Sequence, residues 1–171
     1  MFCSYCRRFT SQQVTWLMLG LTVAMLAVSV YLQYALGLLP CMICELQRYL
    51  LVPLALALLL QTCSRPHTFL RRISQSMVLL LIVMEVALSI RHLLLLYVPA
   101  SGPTVHACLP GLLTYAHNAS WLQALTVALQ GSGEGCHQVT WHFLLLSLPE
   151  WTAAFMCALF GLWCWTRYAK S

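Results

Sequence analysis

Apolar residues in this chain gather in long runs, not in the short alternation of a water-soluble helix or strand. The first run, about residues 14–34, holds no charge and is long enough to cross a hydrocarbon core. Arg7 and Arg8 precede it, as in a secretory leader, but it is longer than a leader's apolar region and no small-x-small cleavage site follows. It reads as a retained span. The second run, about 46–62, carries Arg48 in its first turn and Pro53 inside, which a membrane helix tolerates when neighbours satisfy the freed carbonyl. The third, about 76–97, carries Glu85 and Arg91. The fourth, about 150–168, opens on Leu148-Pro149-Glu150-Trp151, a proline and a carboxylate where a helix N-terminus favours them. Trp16, Tyr31, Tyr34, Tyr97, Trp151, Trp163, Trp165 and Tyr168 cluster near the run ends, as interfacial rings do.

Two connections, about 35–45 and 98–149, lie on one side of these spans. Within the longer one, Leu109–Leu129 places Leu112, Leu113, Tyr115, Ala116, Trp121, Leu122, Leu125 and Leu129 at helical spacing. Polar interruptions make it too broken for a span, so it predicts a helix lying in the interface plane. Gln130-Gly131-Ser132-Gly133-Glu134-Gly135-Cys136 then has the composition of a flexible tether. The pattern predicts an all-α membrane protein: one integral membrane domain over 1–171, a four-helix transmembrane bundle with an additional short interfacial helix.

Composition sharpens this picture. Of 171 residues, 61% are hydrophobic and 8% charged, where soluble domains carry about 25% charged residues. A soluble globular enzyme and a disordered chain are both excluded. The net charge of +5 does not signal nucleic acid. Arg7, Arg8, Arg65, Arg71, Arg72, Arg167 and Lys170 all lie between or beyond the runs, in segments without Asp or Glu. The long connection holds Glu134 and no Lys or Arg. The excess of basic residues on one side places both termini in the cytoplasm of a multi-pass protein.

That orientation sorts the nine cysteines. Cys3, Cys6 and Cys63 fall on the cytoplasmic side, where thiols stay reduced and the Cys3-x-x-Cys6 pair reads as inert. Cys157 and Cys164 lie within the fourth run and read as small buried packing residues. Cys41 and Cys44 share the short external connection, and Cys108 and Cys136 the long one. Cys41-x-x-Cys44 has the spacing of a redox pair, and a metal site or a structural disulfide has the same spacing. Cys44 is expected just before the second helix, where the helix N-terminus and Arg48 both favour a thiolate. Cys108 and Cys136, on a long glycine-tethered segment, suit either exchange with another protein or closure of the loop.

Four spans, a CxxC at the mouth of the second and a cysteine pair in the second external loop form an ordered set. To it belong Pro40-Cys41-Met42-Ile43-Cys44-Glu45-Leu46-Gln47-Arg48-Tyr49, Arg91-His92 and Ser147-Leu148-Pro149-Glu150-Trp151. Over nearly its whole length the chain resembles the DsbB family of inner-membrane quinone reductases. A vitamin K epoxide reductase-like enzyme also combines four helices, quinone and CxxC, but there the loop pair and the CxxC occur in another order. The DsbB resemblance implies a bacterial inner-membrane location, with the lipid bilayer around the spans and the redox cysteines in the periplasm. It implies that a periplasmic DsbA-like thiol oxidase passes electrons to Cys108–Cys136, then to Cys41–Cys44, and on to the membrane quinone pool, ubiquinone or menaquinone. Cys44 would contact the quinone and Arg48 would stabilise developing negative charge. Arg91 and His92 would stand at the depth of the quinone head, or else be an interfacial pair. No resident metal is expected. Glu85 has either a functional role or a hydrogen bond inside the bundle.

Overall fold

The computed structural model describes residues 2–35, 37, 41–63, 69–97, 112–118, 120–130, 142–143 and 146–168. Among these the chain is almost all helical. The helices are α1 (Phe2–Ala35), α2 (Met42–Cys63), α3 (Phe69–Tyr97), α4 (Leu112–Asn118), α5 (Trp121–Gln130) and α6 (Leu148–Tyr168). Two short strands, β1 (His142–Phe143) and β2 (Leu146–Ser147), pair antiparallel just before α6.

Among the described residues, three helices are long and apolar enough to cross a membrane: Gln12–Ala35 of α1, α2 and α3. The apolar stretch of α6 is diluted by Pro149, Glu150, Arg167 and three tryptophans, Trp151, Trp163 and Trp165. Each long helix reaches beyond the apolar run that predicted it. α2 begins at Met42, not near residue 46, and α3 begins at Phe69, not near 76. Arg71 and Arg72 therefore lie inside helical structure, in the turn before the apolar stretch. Pro53 is accommodated within α2 without ending it. Past the end of α1, Gly37 has φ 64°, the left-handed geometry that glycine adopts freely as the chain leaves a helix.

α1 packs on α2 and α6, and α3 packs on α2 and α6. The core between them holds Met18, Leu51, Leu54, Leu58, Val78, Ile82, Met156 and Leu159. The outward faces are apolar as well: Leu56, Leu80, Ile90 and Phe160 are all exposed. A surface of this kind suits lipid, not water. Between apolar helices in lipid, burial supplies little drive, so close packing and interhelical hydrogen bonds carry more of the association. Several hydroxyls inside the helices satisfy themselves locally; Thr22 Oγ1 donates to Met18 O at 2.8 Å and Thr152 Oγ1 to Leu148 O at 2.9 Å.

Two expectations fail. The single helix expected over 109–129 is two helices, α4 and α5, broken around Ser120. The Ser120 hydroxyl accepts from Gln123 N–H at 3.2 Å and its carbonyl from Ala124 N–H at 2.8 Å, so Ser120 caps a new helix. Both short helices pack on the start of α2 through Met42, Leu112, Ala116, Ala124 and Ala128. Cys157 and Cys164 are not buried packing residues: Cys157 is exposed and Cys164 half-buried. Their positions on α6 place them off the core face formed by Met156 and Leu159. The tether after Gln130 lies outside the described residues.

Candidate functional site

The site is built at the start of α2. Glu45 N–H donates to Cys41 O at 2.9 Å, which makes Cys41 the capping residue of the helix. Its sulfur does the work usually done by a serine or aspartate oxygen: Cys44 N–H donates to Cys41 Sγ at 3.1 Å. Cys44 is thus inside the first turn, not before the helix as the sequence pattern suggested. Both sulfurs sit at the N-terminal end of α2, the positive end of its helix dipole. Cys41 is buried and Cys44 half-buried.

α3 supplies the third member. His92 is 3% exposed, and its Nε2 lies 3.7 Å from Cys41 Sγ. The two sulfurs and a His92 ring nitrogen all lie within 4.8 Å of one another. Ile43 and Leu95 are buried alongside Cys41. α3 is held in this register by Gln47, whose amide donates to Ser89 Oγ at 2.9 Å in a buried contact one turn before His92. Such an interhelical bond contributes about 0.5–2 kcal/mol in a bilayer.

Arg48 is half-buried and tied to α1. Its Nε donates to Ser29 Oγ at 2.8 Å, one terminal nitrogen to Ser29 O at 3.2 Å, and the other to Gln33 Oε1. These bonds use three of the five N–H donors of a guanidinium. Arg48 is four residues after Cys44, so the two share a helix face. Arg91 and His92 point apart. Arg91 is half-buried and its Nε donates to Leu129 O at 2.9 Å, closing the C-terminal end of α5. The structure therefore joins His92, but not Arg91, to the cysteine pair.

Cys108 and Cys136 lie outside the described residues. Glu85, on the same face of α3 two turns below His92, is fully buried, and among the described residues neither of its oxygens has a hydrogen-bond partner. Ser29, Gln33 and Ser89 were not singled out by the sequence pattern, and Glu45 and Gln47 stood only within the Pro40–Tyr49 stretch, with no role given to them. A usable signal was present: Ser29 and Gln33 are polar residues four apart within an apolar span, the spacing of one helix face. Glu45 links the site to the segment above it. Its Oε2 accepts from Leu112 N–H at 2.7 Å and its Oε1 from Tyr49 Oη at 2.8 Å.

A thiol pair with an imidazole beside it at one end of apolar helices suits thiol–disulfide exchange. The family described as disulfide bond formation protein DsbB matches residues 11–166. Disulfide bond formation protein B of Marinobacter nauticus is 33% identical over 153 residues, covering 90% of this chain and 89% of that protein. The protein of the same description from Nitrosococcus oceani is 29% identical over 158 residues, covering 91% and 92%. Disulfide bond formation protein B 1 of Pseudomonas aeruginosa is 30% identical over 139 residues, covering 81% and 83%.

Proposed function

The chain belongs to the disulfide bond formation protein DsbB family, and from that membership we propose that it reoxidises a periplasmic DsbA-like thiol oxidase and delivers the electrons to a membrane quinone. The observation that carries the reading is the grouping of Cys41, Cys44 and His92 within 4.8 Å at the start of α2. The architecture that goes with it is a four-span bundle, with α6 as the fourth span and α4 and α5 lying at the periplasmic interface. It sits in the bacterial inner membrane, both termini in the cytoplasm and all four redox cysteines on the periplasmic side.

The reaction is a series of thiol–disulfide exchanges. A thiolate of the reduced partner attacks the Cys108–Cys136 disulfide and forms a mixed disulfide with Cys108, releasing Cys136 as thiolate. Cys136 attacks Cys41, breaking the Cys41–Cys44 bond and releasing Cys44 as thiolate. The partner's second thiol resolves the mixed disulfide and leaves oxidised, and the freed Cys108 thiolate attacks Cys136 in the Cys41–Cys136 bond, remaking Cys108–Cys136 and releasing Cys41 as a thiol beside Cys44. The Cys44 thiolate is stabilised by the N-terminus of α2. Arg48, fixed by Ser29 and Gln33, holds positive charge on the Cys44 face of the helix. Cys44 and Arg48 are the residues that would hold the ring, with His92 set against the Cys41 sulfur. This donor set fits a quinone: a half-buried sulfur, a guanidinium with N–H groups to spare and apolar neighbours. A bound ubiquinone or menaquinone supplies the two-electron acceptor that restores the Cys41–Cys44 disulfide.

Purified chain, with a quinone and a reduced thioredoxin-like oxidase, should oxidise the partner catalytically while quinone absorbance falls. Cys41→Ser, Cys44→Ser, Cys108→Ser and Cys136→Ser should each abolish turnover. Full turnover by the Cys44→Ser variant would overturn the proposal.

A further inference from the structure

We propose that the dithiol form of Cys41 and Cys44, together with His92, is a three-ligand site for a soft divalent cation of the zinc class. Occupancy of this site holds the pair reduced. The geometry is the first support. Tetrahedral coordination at zinc–sulfur and zinc–nitrogen distances of about 2.3 and 2.0–2.1 Å separates neighbouring ligand atoms by about 3.6–3.8 Å. Cys41 Sγ and His92 Nε2 are already 3.7 Å apart, and all three ligand atoms lie within 4.8 Å, so small side-chain rotations complete the set. Two sulfurs and an imidazole leave a fourth position open, as in catalytic zinc sites.

The backbone is the second support. Cys44 N–H donates to Cys41 Sγ at 3.1 Å, which offsets charge on a coordinated thiolate, and the N-terminus of α2 favours the second one. The third is the rigidity of the donor elements. His92 is buried on α3, and α3 is fixed to α2 by the Gln47–Ser89 bond. Binding replaces two thiol protons with one dication and moves no electrons; both protons leave to solvent or buffer. A disulfide sulfur is a poor ligand, so the site exists only in the reduced state. Conversely, sulfurs committed to the cation cannot form a disulfide until it leaves. Only this last consequence rests on the proposed redox function; binding does not.

The test uses Cd2+ on the purified full-length chain, reduced with a non-chelating phosphine, and reads the sulfur-to-cadmium charge-transfer band. The other cysteines contribute a background, which is the signal that remains in a Cys41→Ser/Cys44→Ser double variant. The expected result is a band component that Cys41→Ser or Cys44→Ser removes. His92→Ala should weaken it by about tenfold or more, as loss of a coordinating or supporting group does at metal sites. His92→Cys should restore it, and oxidation of the pair should eliminate it. Helical circular dichroism verifies that each variant is folded. An unchanged Cd2+ titration in folded His92→Ala or Cys41→Ser overturns the site. In a second arm, Zn2+ should block reoxidation of the reduced chain by a soluble quinone, and a chelator should reverse the block. Failure of the untreated chain to reoxidise would refute the proposed function and leave the cadmium result standing.

Discussion

Arg48 and Glu85 are both ionisable groups placed among apolar helices, and their surroundings differ completely. Arg48 meets Ser29 Oγ, Ser29 O and Gln33 Oε1 on α1 in one fork of hydrogen bonds. Lysine has a single ammonium and cannot reproduce that fork. Arg48→Lys should therefore loosen α1 from α2 by about 1.5–3 kcal/mol, the worth of hydrogen bonds to a charged group. The check is a lower thermal midpoint of the purified protein in detergent, with Gln33→Leu showing a smaller drop. Glu85 is fully buried, and among the described residues both carboxyl oxygens lack a partner. A buried polar atom left unsatisfied costs about 1–3 kcal/mol. Glu85→Leu, similar in volume, should raise resistance to unfolding in sodium dodecyl sulfate by that order. A fall would mean that the carboxyl is tied to a group beyond the described residues. The sequence exposed both residues as charges inside apolar runs. It could not distinguish them, because a partner on another helix leaves no mark on the residue's own neighbours in the chain.

Ordinary capping chemistry made the start of α6 legible. Ser147-Leu148-Pro149-Glu150 marks the start of α6, and the Glu150 carboxylate reaches back over it: Ser147 N–H and Oγ both donate to Glu150 Oε2, at 2.5 and 2.6 Å. Tyr97 at the end of α3 donates its hydroxyl to the other oxygen of the same carboxylate. Ser120-Trp121-Leu122-Gln123 carries a similar signature, but apolar spacing continues across it, and that continuity concealed the break between α4 and α5. The start of α2 was hidden for another reason: its cap is a cysteine, which is outside the usual set of capping residues. Glu45 has a comparable linking role, because it joins α2 to the first amide of α4. Glu45→Ala should free that end of α4. Hydrogen exchange at the Leu112 amide should rise by about tenfold or more, as expected for loss of a bond worth about 1.5–3 kcal/mol. Helical content of α1–α3 should stay the same. An unchanged Leu112 rate would show that apolar packing on Met42 alone holds α4.

At the scale of the whole molecule, the cross-helix contacts fix which groups share an end. Arg48 with Ser29, Gln47 with Ser89 and Tyr97 with Glu150 bring the C-terminal half of α1, the start of α2, the end of α3 and the start of α6 together. Cys41, Cys44 and His92 therefore occupy one end. Arg71, Arg72, Arg167 and the exposed Cys63 belong to the opposite helix ends. The proposed orientation follows from the charge distribution: the basic end would stay in the cytoplasm and the cysteine–histidine end would face the oxidising side. A membrane-impermeant maleimide should label Cys63 in inverted vesicles and not in intact spheroplasts. Alkaline phosphatase fused after residue 171 should be inactive, and a fluorescent reporter at the same place should be active. Label on Cys63 in spheroplasts would reverse the orientation and place Cys41 and Cys44 in a reducing compartment. There the pair would be kept as thiols by the cytosolic pool, and no disulfide could be passed outward, so this single labelling pattern tests the proposed topology and the proposed electron path together.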